Sequence, residues 1–349
     1  MGEFLKAVAN RLLIAGALVT LAACGSSGGG GDDSGGGSST TVSGKVTFDR
    51  VSIASGGLDF NAVTQSPARQ IVVEAIGSTG SAVLASTTTD SAGNYSLTVP
   101  TSTSLFIRAK AQMTQSGSGA TWTFSVKNNT NANALYVLDG SAFNSGSSAS
   151  THDLNASSGW NTGSGSYTGT RAAAPFAILD TVYQAKELGL SAQASLAFPA
   201  LDLYWSSSNR SSNDFCPSNG SIGTTSFVLA GAGQLDDCTP RQQMVSGIYV
   251  LGSVNGNDTD EFDQHVIAHE FGHYVEDKFS RSDSIGGSHG LGERLDLRLA
   301  FGEGWGNAIS AMTLNEPQYR DSFDGIDNDF GFNLESDTEA APGWYSETA

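Results

Sequence analysis

Basic side chains are scarce in this chain: 17 Lys and Arg stand against 35 Asp and Glu in 349 residues, a formal net charge of −18. That balance argues against a nucleic-acid partner and against a polybasic membrane surface, both of which need concentrated positive charge. Charge of either sign is thin, at 15% of residues, while Gly numbers 43 and Ser and Thr abound. Such a composition suits extracellular β-rich domains with many turns. The apolar run Leu12–Ala23 has twelve residues, too few to span a bilayer comfortably. Cysteine is limited to Cys24, Cys216 and Cys238, and none of these makes the C-x-x-C spacing of a zinc-binding pair. At this length two folded domains are the natural expectation.

What is present begins with an export signal. Lys6 and Arg11 supply a positive n-region ahead of the apolar run, so residues 1–23 read as a signal peptide. The run ends Leu21-Ala22-Ala23-Cys24-Gly25, which resembles the bacterial lipobox and implies cleavage before Cys24 and acylation of that residue. Acyl chains anchor by burying CH₂ groups at about 0.8 kcal/mol each. Residues 24–40 are then a lipidated Cys and a Gly/Ser tether. Gly25, rather than Asp, resembles the pattern of outer-membrane lipoproteins in a Gram-negative source. The implied location is an exported bacterial lipoprotein of the cell envelope or cell surface, held to the membrane by its N-terminal lipid.

Residues 41–116 read as an antiparallel β-sandwich. Val42–Phe48, Ile71–Ile76, Ala82–Ala85, Tyr95–Val99 and Leu105–Ala109 are short apolar runs separated by turn residues. The segment Thr89-Asp90-Ser-Ala-Gly93-Asn-Tyr95 resembles a turn of carboxypeptidase-regulatory-like β-sandwich domains, with Gly93 at positive φ and Tyr95 returning to the core. Thr121–Val126 and Ala134–Leu138 extend that domain to about 145 or open the next one. The Ser-, Gly- and Asn-rich stretch that follows reads as loop, with residues 146–170 as linker and His152 incidental within it.

From Arg171 the pattern changes. Ala172–Leu190 has helical periodicity, with Pro175 in its first turn and Gly189 as its stop. Leu201–Trp205, Ser226–Leu229 and Ser246–Gly252 read as strands, and Ile248–Leu251 as the sheet edge that takes an extended peptide by β-addition. In an oxidising compartment Cys216 and Cys238 are expected to form a disulfide, with zinc binding as the rival.

The centre of the reading is Asp263–Asp277, which contains His269-Glu270-Phe271-Gly272-His273. On a helix the two His, four residues apart, share a face. They can hold one Zn²⁺, with Glu270 as general base toward a water on that metal. Asp258, Thr259 and Asp260 are N-cap candidates for this helix, and Glu261 and Asp263 suit its first turn. His265, four before His269, is a competing ligand or a packed neighbour. Thirty positions after His273, Glu303 sits in the apolar, Gly-rich run Ala300–Asn307. A carboxylate there needs a partner, because burying it alone costs several kcal/mol. Glu303 and Asn307 fall on one helical face.

These two motifs, H-E-F-G-H and F-G-E-G-W-G-N, resemble those of the fungalysin family of zinc metallopeptidases over His265–Met312. The resemblance implies a zincin-like α+β catalytic domain over residues 171–349. It implies His269, His273 and Glu303 as zinc ligands and Glu270 as the catalytic base. Asn307 falls where that family has an Asp orienting a ligand His, so less basicity reaches the ligand here. The interval from His273 to Glu303 is longer than expected for the family, which implies a larger loop over Arg281–Gly292. The metzincin pattern is absent, since Glu276 and Phe279 occupy its Gly and third His positions. In the family a helical C-terminal subdomain follows and supplies a His or Tyr to the oxyanion. Only residues 308–349 follow Asn307, so the catalytic domain is expected to be incomplete. His289, in the loop between the motifs, could approach the site.

Asp324, Asp327 and Asp329 lie in an acidic segment with the chemistry of a Ca²⁺ loop, though not the EF-hand spacing. Two classes of function stand at this point. One is a lipid-anchored zinc endopeptidase acting on a peptide or protein substrate. The other is a non-catalytic surface lipoprotein that binds a polymer or protein through its β-domain and keeps a degenerate zincin fold.

Overall fold

Side-chain alternation decides how the first part of the chain folds. The computed structural model describes residues 37–255, 258–290, 293–323 and 327–336. The signal segment, Cys24, Asp324 and Gly292 lie outside the described residues. Seven strands come first: β1 (Ser39–Ala54), β2 (Gly57–Pro67), β3 (Ile71–Gly77), β4 (Val83–Thr88), β5 (Asn94–Pro100), β6 (Ser104–Gln115) and β7 (Trp122–Asn128). On β5, Tyr95, Leu97 and Val99 are buried and the residues between them exposed, the period of two of a half-buried strand. β3 is buried on both faces, apart from Glu74, as its unbroken apolar run requires. Gly93 has φ +83° in the turn before β5, where a Cβ would stand 2.6 Å from the Val46 carbonyl oxygen.

Seven short strands follow: β8 (Ala134–Leu135), β9 (Val137–Asp139), β10 (Phe143–Asn144), β11 (Ser150–Thr151), β12 (Leu154–Ala156), β13 (Trp160–Asn161) and β14 (Ser166–Tyr167). After helix α1 (Ala173–Ala192) come β15 (Leu201–Trp205), β16 (Arg210–Ser211), β17 (Ser221–Gly223), β18 (Ser226–Val228) and β19 (Gly247–Val250). Helices α2 (Gln264–Phe279) and α3 (Leu297–Leu314) and the hairpin β20 (Gln318–Phe323) and β21 (Asn328–Asn333) end the described chain. The molecule is mostly β-sheet, with three α-helices among the described residues.

Two sheets build the core. β1 is the spine of a five-stranded sheet, antiparallel to β2 and β5 and parallel to β11 and β12. A ten-stranded sheet runs β18-β19-β15-β7-β6-β3-β4, with β8, β9 and β10 added beside β6 and β7. Val42, Phe48, Leu97 and Val99 from the first sheet share one core with Val73, Ile107 and Phe124 from the second.

Several expectations need correction here. Residues 146–170 do not separate two sheets, because β15 pairs in parallel with β7, and the residues described from Ser38 onward form one compact unit. Composition reads that stretch as loop. Backbone pairing, which is indifferent to side chains, makes β11 and β12 partners of β1. His152 is not incidental. Its carbonyl oxygen accepts the Tyr95 hydroxyl and its ring stacks on Phe143 with centroids 3.4 Å apart. Gly189 does not stop α1, which continues to Ala192 and closes with the Gln193 N–H on the Gly189 carbonyl. The sheet edge is β18 rather than Ile248–Leu251, since β19 is enclosed between β15 and β18.

The helices pack on the ten-stranded sheet through aromatic contacts. Phe271 and Tyr274 of α2 meet the Phe124 ring of β7 edge-on at 5.8 and 6.3 Å, and the Tyr274 hydroxyl donates to the Pro199 carbonyl at 2.6 Å. On α1, Asp180 is buried and accepts from Arg50 at 2.8 Å and Arg69 at 2.6 Å, tying the helix to the β1–β2 region.

Candidate metal centre

α2 has two faces. One carries Ile267, Phe271 and Tyr274 into the core, and the other presents His269, Glu270 and His273 to a cleft of about 660 Å³. α3 crosses α2 at a pair of glycines. A Cβ on Gly272 would lie 3.0 Å from the Gly306 Cα, and one on Gly306 would lie 2.8 Å from the His269 ring. Only glycine lets the backbones approach this closely, and that approach brings Glu303 and Asn307 to the histidines. Trp305 locks the crossing by donating its indole N–H to the Gly272 carbonyl at 2.9 Å.

Glu303 Oε2 lies 3.0 Å from His269 Nε2 and 3.4 Å from His273 Nε2, and the two nitrogens are 3.0 Å apart. A tetrahedral ion with bonds of about 2.0–2.2 Å spaces its ligand atoms by about 3.3–3.6 Å, so the triangle is the size that one such ion needs, drawn slightly tight. The chemistry of the donors agrees. His269 Nδ1 lies 2.9 Å from Asn307 Oδ1, an acceptor, so the ring proton belongs on Nδ1 and the Nε2 lone pair faces the Glu303 carboxylate. Lone pairs pointed at one another need a cation between them. Without one, protons must serve. Burial opposes charge on His273, but the nearby carboxylates of Glu276, Glu303 and Glu270 outweigh it and push its pKa up to about 10. Burial likewise opposes ionisation of Glu303, and its bonds to His269, His273 and His289 hold it well below the usual carboxylate range.

Three further groups surround this triangle. Glu270 is buried, and its Oε2 accepts the Phe227 backbone N–H of β18 at 2.6 Å, which ties the carboxylate to the sheet edge. Buried Glu276, one turn beyond His273, stands 4.0 Å from its Nδ1. Its i+3 position could have been read from the helix, whereas its burial could not. His289 reaches in from the loop between the helices, with Nε2 at 3.3 Å from Glu303 Oε2. His265 does not join the group. It is buried with Nδ1 3.2 Å from the Ser310 hydroxyl and its ring against Tyr319.

The segment before α2 departs from its expected role. Asp263 is the N-cap residue but makes no capping bond, and Asp258, Thr259 and Asp260 do not cap the helix. Glu261 is buried in an ion pair with Arg171, whose pairing with an opposite charge outlasts its own desolvation. Asp258 and Asp260 instead converge with Asp321 of β20 on the same cleft. Burial, with Asp258 and Asp321 close by, drives the Asp260 carboxyl well above its ordinary range, and burial pushes Asp321 up to about 6. The Ca²⁺ loop expected from Asp324, Asp327 and Asp329 falls only partly on the described residues. Asp324 lies outside them, and Asp329 accepts from the Gly56 N–H at 2.7 Å and from Arg320 at 3.3 Å. Cys216 and Cys238 are joined in a disulfide.

No protein-family model and no curated protein matches this chain. Among solved structures, a 9R-lipoxygenase from Cyanothece aligns at 9% identity and a TM-score of 0.18, covering 45% of this chain and 25% of that one. A likeness that weak bears on neither fold nor chemistry.

Proposed function

We propose that this chain is a zinc-dependent endopeptidase of the fungalysin-like type, exported and held in the cell envelope by a lipid on Cys24. One observation carries the reading: the His269, His273 and Glu303 donor atoms stand within 3.0–3.4 Å of one another beside Glu270, in a cleft lined by β18, an edge strand of the ten-stranded sheet among the described residues. Zinc in that triangle would supply Lewis acidity toward water and a carbonyl oxygen at neutral pH. The remaining work falls to the chain. Asn307 holds the His269 tautomer, and Glu276 orients His273 from the far side of its ring. An extended peptide laid on β18 takes the Phe227 N–H with one of its carbonyls, and Glu270 is thereby released. Glu270 then accepts the proton of the attacking water and returns it to the amine as the C–N bond breaks. His289 lines the same cleft, 3.3 Å from Glu303, within reach of a bound substrate.

The test compares zinc content and casein cleavage in the full-length chain. The wild type should hold one zinc and cleave. Glu270→Gln should hold zinc and not cleave, and Glu303→Ala should lose zinc. Cleavage by Glu270→Gln at the wild-type rate refutes the role of Glu270. Zinc bound by the wild type without cleavage leaves the other class, a surface lipoprotein that binds a polymer or protein partner.

A further inference from the structure

Asp258, Asp260 and Asp321 line the same cleft as the histidines without joining their triangle. One oxygen each of Asp258, Asp260 and Asp321 lies within 4.8 Å of the other two. Ca²⁺ binds oxygen at about 2.3–2.6 Å, so two of its ligands are at most about 5 Å apart, and these separations are within the span of one such ion. The Asp263 carboxyl group lies close enough to that of Asp321 to interact with it.

The second observation concerns what these groups lack. Asp260 and Asp263 are 3% and 0% exposed. Each has one oxygen satisfied: Asp260 Oδ2 accepts the Thr225 hydroxyl, and Asp263 Oδ2 accepts the Ser322 N–H at 3.0 Å and its hydroxyl at 2.7 Å. The Oδ1 atoms of Asp260, Asp263 and Asp321 are all buried with no hydrogen-bond partner. Arginines on the adjoining segments are committed elsewhere, Arg171 to Glu261 and Arg320 to Asp329. Buried carboxylate oxygens without a donor are costly singly, and three together call for a cation. The donor set is entirely hard oxygen, which favours Ca²⁺ over zinc.

We propose that Asp258, Asp260 and Asp321, backed by Asp263, bind one Ca²⁺ that clamps the segment entering α2 to strand β20. The clamp joins the chain on either side of the metal helices: one end precedes His269 and the other follows Asn307. Calcium therefore braces the frame that sets the His269 and Glu303 geometry without touching the zinc ligands. The proposal does not depend on the peptidase reading.

The experiment strips the full-length protein of metal, restores one equivalent of zinc and titrates CaCl₂ by calorimetry, with zinc content read separately by atomic absorption. One Ca²⁺ per chain and a rise in Tm with added calcium are expected. Asp260→Asn and Asp321→Asn should each weaken calcium binding at least tenfold and abolish the calcium-dependent rise in Tm, while zinc content is unchanged. Asp321 is the less buried of the two, so its variant serves if Asp260→Asn fails to fold. No calcium uptake by the wild type, or undiminished uptake by Asp321→Asn, overturns the proposal. A calcium-independent rise in Tm in either variant also overturns it, by showing a protonated cluster that an amide imitates.

Discussion

Replacing Gly306 by alanine puts a methyl group where α2 and α3 cross. The new Cβ would stand 2.8 Å from Cε1 and Nδ1 of His269. Ordinary contact begins near 3.4 Å, so the ring must retreat by roughly 0.6 Å or the helices must part. Either movement disturbs the 2.9 Å contact with Asn307 and the 3.0 Å contact with Glu303 at once. Overpacking of this kind costs about 1–3 kcal/mol, offset by about 1 kcal/mol from the better helix propensity of alanine. Stability should therefore fall by no more than about 2 kcal/mol. Zinc affinity should fall about 10- to 100-fold, the usual consequence of disturbing what orients a ligand imidazole. Gly302→Ala is the control, since its Cβ would meet Glu276 Oε2 at 3.5 Å, an ordinary contact, and should gain up to about 1 kcal/mol from propensity alone. Competition with a chromophoric chelator gives the affinities, and thermal melts of the metal-free proteins give the stabilities. If Gly306→Ala binds zinc as tightly as the wild type, the argument that the glycine crossing sets the site is wrong.

Other substitutions probe other parts of the molecule. Asn307→Asp places a charge behind His269 and should tighten zinc binding by about tenfold, measured by the same competition. Asp180→Ala takes away the buried carboxylate that the half-buried Arg50 and Arg69 share and should cost about 1–3 kcal/mol in chemical denaturation. Burial lowers the His265 pKa to about 4, below its ordinary 6.5, so the unfolded chain takes up the proton first. The His265 contribution is therefore whole at neutral pH and is lost as pH falls from about 6.5 to 4, on the order of 3 kcal/mol in all. His265→Gln should flatten that part of the stability profile, and a profile as steep as the wild type's would refute it. Replacing Cys216 and Cys238 by Ser opens a loop with a sequence separation of 22 and should cost about 3 kcal/mol, read as a lower denaturation midpoint under non-reducing conditions.

Local pattern carried the elements well. Short apolar runs between turn residues marked β3, β5 and β6, and helical periodicity marked α1 and α2, because burial of those elements is written in the spacing of their apolar residues. The pattern failed where backbone pairing ignored side chains. The two- and three-residue strands β11 and β12, set in a Ser-, Gly- and Asn-rich stretch, gave no periodic signal, yet they complete the sheet around β1. Caps failed for a related reason. Asp258 and Asp260 had the right identity for an N-cap, but the helix begins only after Asp263, and the two converge instead with Asp321, a residue distant in the chain.

The sequence by itself determined the chemistry on offer: two imidazoles one turn apart with a carboxylate between them, and a second motif bearing Glu303 and Asn307. Spacing along a helix is a local property, so these could be named without coordinates. Only the tertiary structure decided which groups meet. The Gly272–Gly306 crossing, the reach of His289, the tie from Phe227 to Glu270 and the acidic cluster all depend on how separate segments pack. Packing is settled by steric fit and by the balance of burial against charge across the whole chain, which no single stretch of residues contains.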